Sequence, residues 1–297
     1  RSNSAEAVVD IELLVNTLVS GLLLGGFYAL ATVGLTLAFG VLDVVNIAHP
    51  AFMVLGAMVA ILCATAAGLD PVLVGVLLLP AFFALGYGFY GVYFRFFEKR
   101  GDAAIQGLAF FFAVMFVIEV SMSMALGPEQ RQIETPYSWT TWQIGMVEVP
   151  LRMLVPFCLG MAVLVALSRW LRSTFIGRTV SAVGQDQQAL RFVGVDPVRV
   201  KRIAFGIAIA AACLAGSGLL LVQPVDPWSG HTYIGRVFSI CILGGLASLR
   251  GTWLAALIFG VLENFTSTYV GPAWSLAVAF GLLLLTLLVR PQGLFAR

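Results

Sequence analysis

Charge is scarce in this chain. Of its 297 residues 11% are Asp, Glu, Lys or Arg and 60% are hydrophobic, against about 25% and about 45 to 50% in an ordinary soluble domain. A surface built from such a composition is solvated by lipid. The formal net charge is +2, with basic residues scattered between apolar runs. Nucleic acid is thereby excluded as a partner, because its footprint is a dense basic patch. Histidine occurs only 2 times, and no HExxH, GxSxG or Walker-type GxxxxGK[ST] is present. No covalent chemistry, no metal and no bound cofactor are expected of this chain, which is read as no enzyme. The 4 cysteines, Cys63, Cys158, Cys213 and Cys241, lie singly in apolar segments without CxxC spacing, so they are read as packing residues. No basic n-region with a cleavage site is visible, and no secretory signal is expected.

What is abundant is long apolar sequence. Stretches able to cross a hydrocarbon core of about 30 Å run near 13–39, 47–67, 72–94, 105–126, 152–171, 203–223 and 273–289. The stretch 237–270 is interrupted at Gly244-Gly245 and again at Ser248 to Gly251, and it reads as two half-length helices or two thin spans. The fold class expected is all-α and polytopic, with about 8 to 9 transmembrane helices including broken or half-length helices in each half.

Nine crossings put the amino terminus outside. All of the 17 basic residues except Arg1, Arg131, Arg152 and Arg236 then fall inside, as the positive-inside rule requires. The domain plan is an external segment 1–12, a transmembrane domain 13–290 and an internal tail 291–297. Within it, the external loop 127–150 carries Tyr137, Trp139 and Trp142, which suit headgroup level. The internal loop 172–202 is basic and polar.

That inner loop has its own punctuation. Asp186 is placed to cap a short helix from Gln187 to Val193, Gly194 to end it in a left-handed conformation, and Asp196 with Pro197 to start another. Helices this short are marginal alone. Leu190 and Val193 form a small apolar edge, leaving two readings: docking into a partner, or lying on anionic headgroups.

Asn46, His49 and Pro50 stand where an apolar helix begins after the long first span. His49 is read either as a cap of that helix or as lining a translocation route near a broken helix. The glycine-broken Ile242 to Gly260 is read as its counterpart in the second half. Glu119 and Glu263 are carboxylates deep inside spans, and with Asn264 they must face protein or water. No Lys or Arg falls inside a predicted span to pair with them. A proton-coupled carrier would need one to titrate, for example Glu119 with His49.

The blocks GLLLGGFYALATVGLTLAFGVLDVVNIAHPAFMVLGA, GRTVSAVGQDQQALRFVGV, VFSICILGGLASLRGTWLAALIFGVLEN and RPQGLF stand in this order. In them the chain resembles the Liv-type permeases of branched-chain amino acid ABC importers, from about Leu13 to Phe295. The resemblance implies a multi-pass protein of the bacterial inner membrane that passes branched-chain or related amino acids inward. It implies a second permease chain, homologous or identical, two cytoplasmic ATPase subunits that hold ATP and magnesium, a periplasmic solute-binding protein, and surrounding lipid. It further implies that Gln188, Ala189, Leu190, Val193 and Gly194 form the ATPase-coupling loop; the substrate pathway by Asn46, His49, Glu119, Gly244, Gly245, Glu263 and Asn264 is the reading of the broken helices and buried polar groups themselves. Where many relatives have an acidic residue after NFAHG, this chain reads Asn46-Ile47-Ala48-His49-Pro50-Ala51. Urea, short amides and aromatic acids therefore stay open as cargo.

Overall fold

A computed structural model describes residues 2–42, 45–98, 103–246, 248–290 and 293–295, with 2–10, 42, 103, 104 and 279 described by backbone only. Eleven helices follow in chain order among the described residues: α1 (Ser2–Leu42), α2 (His49–Ala67), α3 (Pro71–Phe96), α4 (Ala103–Leu126), α5 (Leu151–Ser173), α6 (Phe175–Val183), α7 (Gln187–Phe192), α8 (Pro197–Val222), α9 (Gly230–Gly244), α10 (Leu249–Tyr269) and α11 (Ser275–Val289). Seven segments are long and apolar enough to cross a membrane. This is the all-helical, polytopic fold that the hydropathy predicts.

Apolar character all round sorts the helices into layers. In the most apolar 18-residue stretches of Ile11–Val41 and Pro197–Val222, 83% and 89% of the residues are buried, and these segments form the centre. The corresponding shares in Pro71–Phe96, Leu151–Ser173 and Pro272–Val289 are 22%, 17% and 12%, and these segments turn leucine, valine and phenylalanine outward. In water such surface would be a liability, whereas in lipid it is the solvated face.

Helix lengths correct the expectation for 237–270. The first helix there begins at Gly230 and has 15 residues, about 22 Å. The second has 21 residues, about 31 Å, which is full length. Of these two, only α9 is short for a crossing. Gly244 and Gly251 touch at the turn between them: a Cβ on Gly251 would sit 1.9 Å from Gly244 O. Gly245 has φ +88°, and Leu294 N donates to Leu243 O at 2.9 Å, so the chain's end is laid on this turn.

The two ends of the helical layer differ in charge. At one end, Glu148 N donates to Asn16 Oδ1 (2.8 Å), Tyr137 OH donates to Asp70 Oδ2 (2.6 Å), and Arg131 bridges to Val225. Burial first, and then the Asp70 carboxylate, push the Tyr137 pKa above the ordinary tyrosine value. At the other end Arg172, Gln185, Arg250 and Phe295 share one cavity, and Lys201 pairs with Glu98 at 2.8 Å. Arg1, Lys99, Arg100 and Arg297 lie outside the described residues, as do 291, 292 and 296 of the tail. The segment 127–150 contains an antiparallel hairpin, β1 (Thr141–Ile144) with β2 (Val147–Pro150). Its two-residue turn starts at Gly145 with φ +66°, the geometry that matches strand twist.

Candidate translocation site

Two helices begin inside the layer. Pro50 sits in the first turn of α2, where a missing N–H is harmless. His49 Nε2 lies 3.0 Å from Ala31 O, and Ala31 is 11 residues short of the end of α1, about 16 Å of helix. Segment 45–48 therefore returns into the interior before α2 starts. Gly34 leaves room for the ring, because a Cβ there would be 2.9 Å from His49 Cε1. From the other side, residues 223–229 dip inward in a turn in which Trp228 N donates to Asp226 Oδ1 (2.8 Å) and Asp226 N donates to Ser229 Oγ (2.9 Å). They deliver the N-terminus of α9 against that of α2, so that a Cβ on Gly230 would lie 3.4 Å from Ala51 N and Pro50 C.

The counterpart of the His49 region is thus the start of α9. Gly244-Gly245, at the far end of α9, is a turn at the basic face. Hydropathy cannot find the start of α9, because Asp226, Ser229, His231 and Arg236 make it read as an external loop. The available signal was the Asp226-to-Ser229 turn sequence next to Gly230.

Among the described residues, polar groups at this meeting point lack protein partners. Asn46 is fully buried, and neither Oδ1 nor Nδ2 is bonded; the same holds for His49 Nδ1. Buried amides without partners are rare in folded proteins, and here they flank helix N-termini, whose N–H groups and dipole favour negative charge.

The carboxylates belong to other networks. Glu263 Oε1 accepts from Arg236 Nε (2.9 Å) and Nη2 (2.8 Å), and Oε2 accepts from Tyr28 OH (2.7 Å). Arg236 Nη1 donates to Thr232 O at 2.8 Å. An arginine inside the helical layer thus pairs with Glu263, contrary to the sequence expectation, because α9 starts six residues before Arg236. Glu119, fully buried, lies 3.0 Å from His231 Nε2, and the Trp228 ring stacks on that imidazole at 6.0 Å. His231, on α9, is the partner, while His49 is engaged elsewhere. Asn264 Nδ2 donates to Thr17 O at 2.7 Å and ties α10 to α1.

At the basic end, Asp186 Oδ1 accepts from Gln188 N (2.8 Å) and Ala189 N (3.0 Å), and Asp196 Oδ1 accepts from Val198 N (2.9 Å). Gly194 has φ +78°. The helix between them is α7, ending at Phe192 rather than Val193. A further helix, α6, precedes it, capped by Thr174 Oγ1 accepting from Gly177 N at 3.0 Å. Leu190 turns inward onto the cluster of Val180, Val183 and Val200, whereas Phe192 and Val193 are 90% and 73% exposed. The free apolar edge is therefore Phe192-Val193, and Leu190 anchors it.

A lipid-solvated helical layer in which two helices meet N-terminus to N-terminus around unpartnered polar groups defines a membrane permease. The model of the family described as branched-chain amino acid transport system / permease component matches residues 17–287, and the chain belongs to that family. It is 27% identical over 304 residues to the high-affinity branched-chain amino acid transport system permease protein BraD of Pseudomonas aeruginosa, covering 97% of each chain. It is 26% identical over 291 residues to the corresponding protein LivH of Escherichia coli K12, covering 94% of each. Among solved structures, PsaBC from Streptococcus pneumoniae in complex with Fab shares the fold, with a TM-score of 0.50 over 93% of this chain and 91% of that one at 10% identity.

Proposed function

We propose that this chain is the membrane-spanning subunit of an ABC importer in the bacterial inner membrane, and that it passes a branched-chain or related amino acid from a periplasmic binding protein to the cytoplasm. ATP and magnesium belong to two separate ATPase subunits, and a second permease chain completes the pathway. The basic end, with Gln188 and Arg250, faces the cytoplasm, and the end with Trp139 and Asp226 faces outward. The observation that carries the reading is the pair of abutting N-termini with Asn46 and His49 Nδ1 unpartnered between α1, α2 and α9. Such an arrangement suits the carboxylate of a passing amino acid, since half-helix N-termini are where transporters hold anionic groups.

Uptake into vesicles containing the permease pair, ATPases and binding protein tests this. Asn46→Ala and His49→Ala are each expected to lower ATP-driven uptake about ten- to hundredfold, the range for losing one hydrogen bond to a charged group, while complex assembly persists. Normal uptake by both variants would exclude this route. Uptake by the chain alone under a pH gradient would favour instead a proton-coupled carrier.

The exposed Phe192-Val193 edge supports a coupling role for α7. Phe192→Asp is expected to leave the permease folded, because that side chain touches almost nothing, and to reduce co-purification of the ATPase at least about tenfold. Gly194→Val acts on the same edge through a left-handed penalty of about 1 to 2 kcal/mol. Leu190→Asp, by contrast, injures the permease itself. Unchanged ATPase recovery with Phe192→Asp would place the coupling surface elsewhere.

A further inference from the structure

The basic end holds a cavity of about 640 Å³ between α5, α6 and the start of α10. Arg172 and Arg250 both line it, with the hydroxyls of Ser181 and Ser248, and no carboxylate is among the described residues that line it. Among the described residues neither guanidinium is in an ion pair. Arg250 also stands in the first turn of α10, where the helix dipole disfavours a cation. Helix stability therefore does not favour its position, and an anion in the cavity would offset both the dipole and the paired charges.

The walls say which kind of anion. Leu254 lines the cavity, and from it Leu254, Ile258 and Leu262 run along α10 at intervals of four residues, all outward and 45%, 41% and 40% exposed. Residues four apart share one helix face, so this is a continuous apolar track that starts at a doubly cationic cavity. A free phosphate would satisfy the arginines and leave the track bare. An amphiphile satisfies both.

We propose that this cavity binds the phosphate of an anionic phospholipid, with the headgroup between Arg172 and Arg250 and an acyl chain along Leu254, Ile258 and Leu262. Guanidinium forks match phosphate oxygens in geometry as well as charge, and basic pockets between membrane helices are where acidic headgroups lodge. The site lies away from Asn46 and His49, so it stands or falls separately from the transport route.

The test uses the full permease complex, purified in mild detergent and examined by native mass spectrometry, then returned to bilayers of phosphatidylcholine with or without phosphatidylglycerol. Wild type is expected to retain phosphatidylglycerol and to unfold at higher temperature in its presence. R172Q/R250Q is expected to retain about ten- to thirtyfold less, and R172K/R250K, which keeps the charge, to lie between. R199Q, a charge removed at the same end outside the cavity, is expected to behave as wild type. Equal retention by R172Q/R250Q, or an equal loss in R199Q, would overturn the site. Inorganic phosphate reproducing the whole thermal shift, or ATPase subunits displacing the lipid on assembly, would overturn the lipid as its occupant.

Discussion

Glu263→Ala is expected to destabilise the folded permease by about 3 to 5 kcal/mol, the range for leaving one member of a buried ion pair uncompensated. The reason is geometric. Glu263 receives Arg236 through two donors and Tyr28 through a third, and it is 4% exposed. Removing it leaves the guanidinium of α9, only 16% exposed, and the buried hydroxyl of α1 together without the carboxylate they share. The double variant E263A/R236M removes both charges and is expected to recover much of the loss, because an apolar pair has no desolvation debt. Midpoints of thermal aggregation in detergent, compared across the two single variants and the double, read out the coupling. Additive effects in that cycle would show that the pair contributes nothing to holding α9 on α10.

Gly260→Val is expected to be equally severe, through packing rather than charge. Gly21 and Gly25 on α1 meet Gly260 on α10 backbone to backbone. A Cβ on Gly260 would lie 2.4 Å from Gly25 N, and one on Gly25 would lie 2.7 Å from Leu257 Cα. No rotamer relieves a clash with main chain, so the two helices must separate. Overpacking of this kind costs about 1 to 3 kcal/mol where side chains can give way and more where they cannot. Loss of the monodisperse peak in size-exclusion chromatography is the expected readout. Gly88→Ala is the control: nothing lies within 4 Å of its added Cβ, and a helical alanine there should be neutral or stabilising by about 0.5 to 1 kcal/mol. A normal elution profile for Gly260→Val would mean that α1 and α10 do not approach as described.

The elements legible in the sequence are those whose causes are local. Asp186, Gly194, Asp196 and Pro197 punctuate the inner loop through hydrogen bonds spanning two or three residues and one left-handed φ, so α7 and the start of α8 could be read directly. The hairpin at 141–150 has an equally local cause in Gly145, but Trp139 and Trp142 beside it suit headgroup level as well and mask the turn signal. The partners of the buried carboxylates could not be read. Glu119 meets His231 across 112 positions, and Glu263 meets Arg236 across 27 and Tyr28 across 235. No pattern in either partner's neighbourhood encodes such a distance.

By itself the sequence determined the solvent, the number of long apolar helices and the segregation of charge between the two ends. Each of these is a sum over composition or over windows of about 20 residues, the length a bilayer imposes. Tertiary structure alone decided how deep in the layer α2 begins, and where α9 begins. Segment 223–229 is polar enough to lie in water and segment 45–48 carries Asn46, and they are held inside because His49 packs on α1 at Ala31 and Gly34 while Gly230 packs on Pro50 and Ala51 of α2. Depth in the layer is a property of neighbours, and the neighbours come from opposite halves of the chain. The same reason moved the counterpart of His49 from Gly244-Gly245 to Gly230, and placed Arg236 beside Glu263.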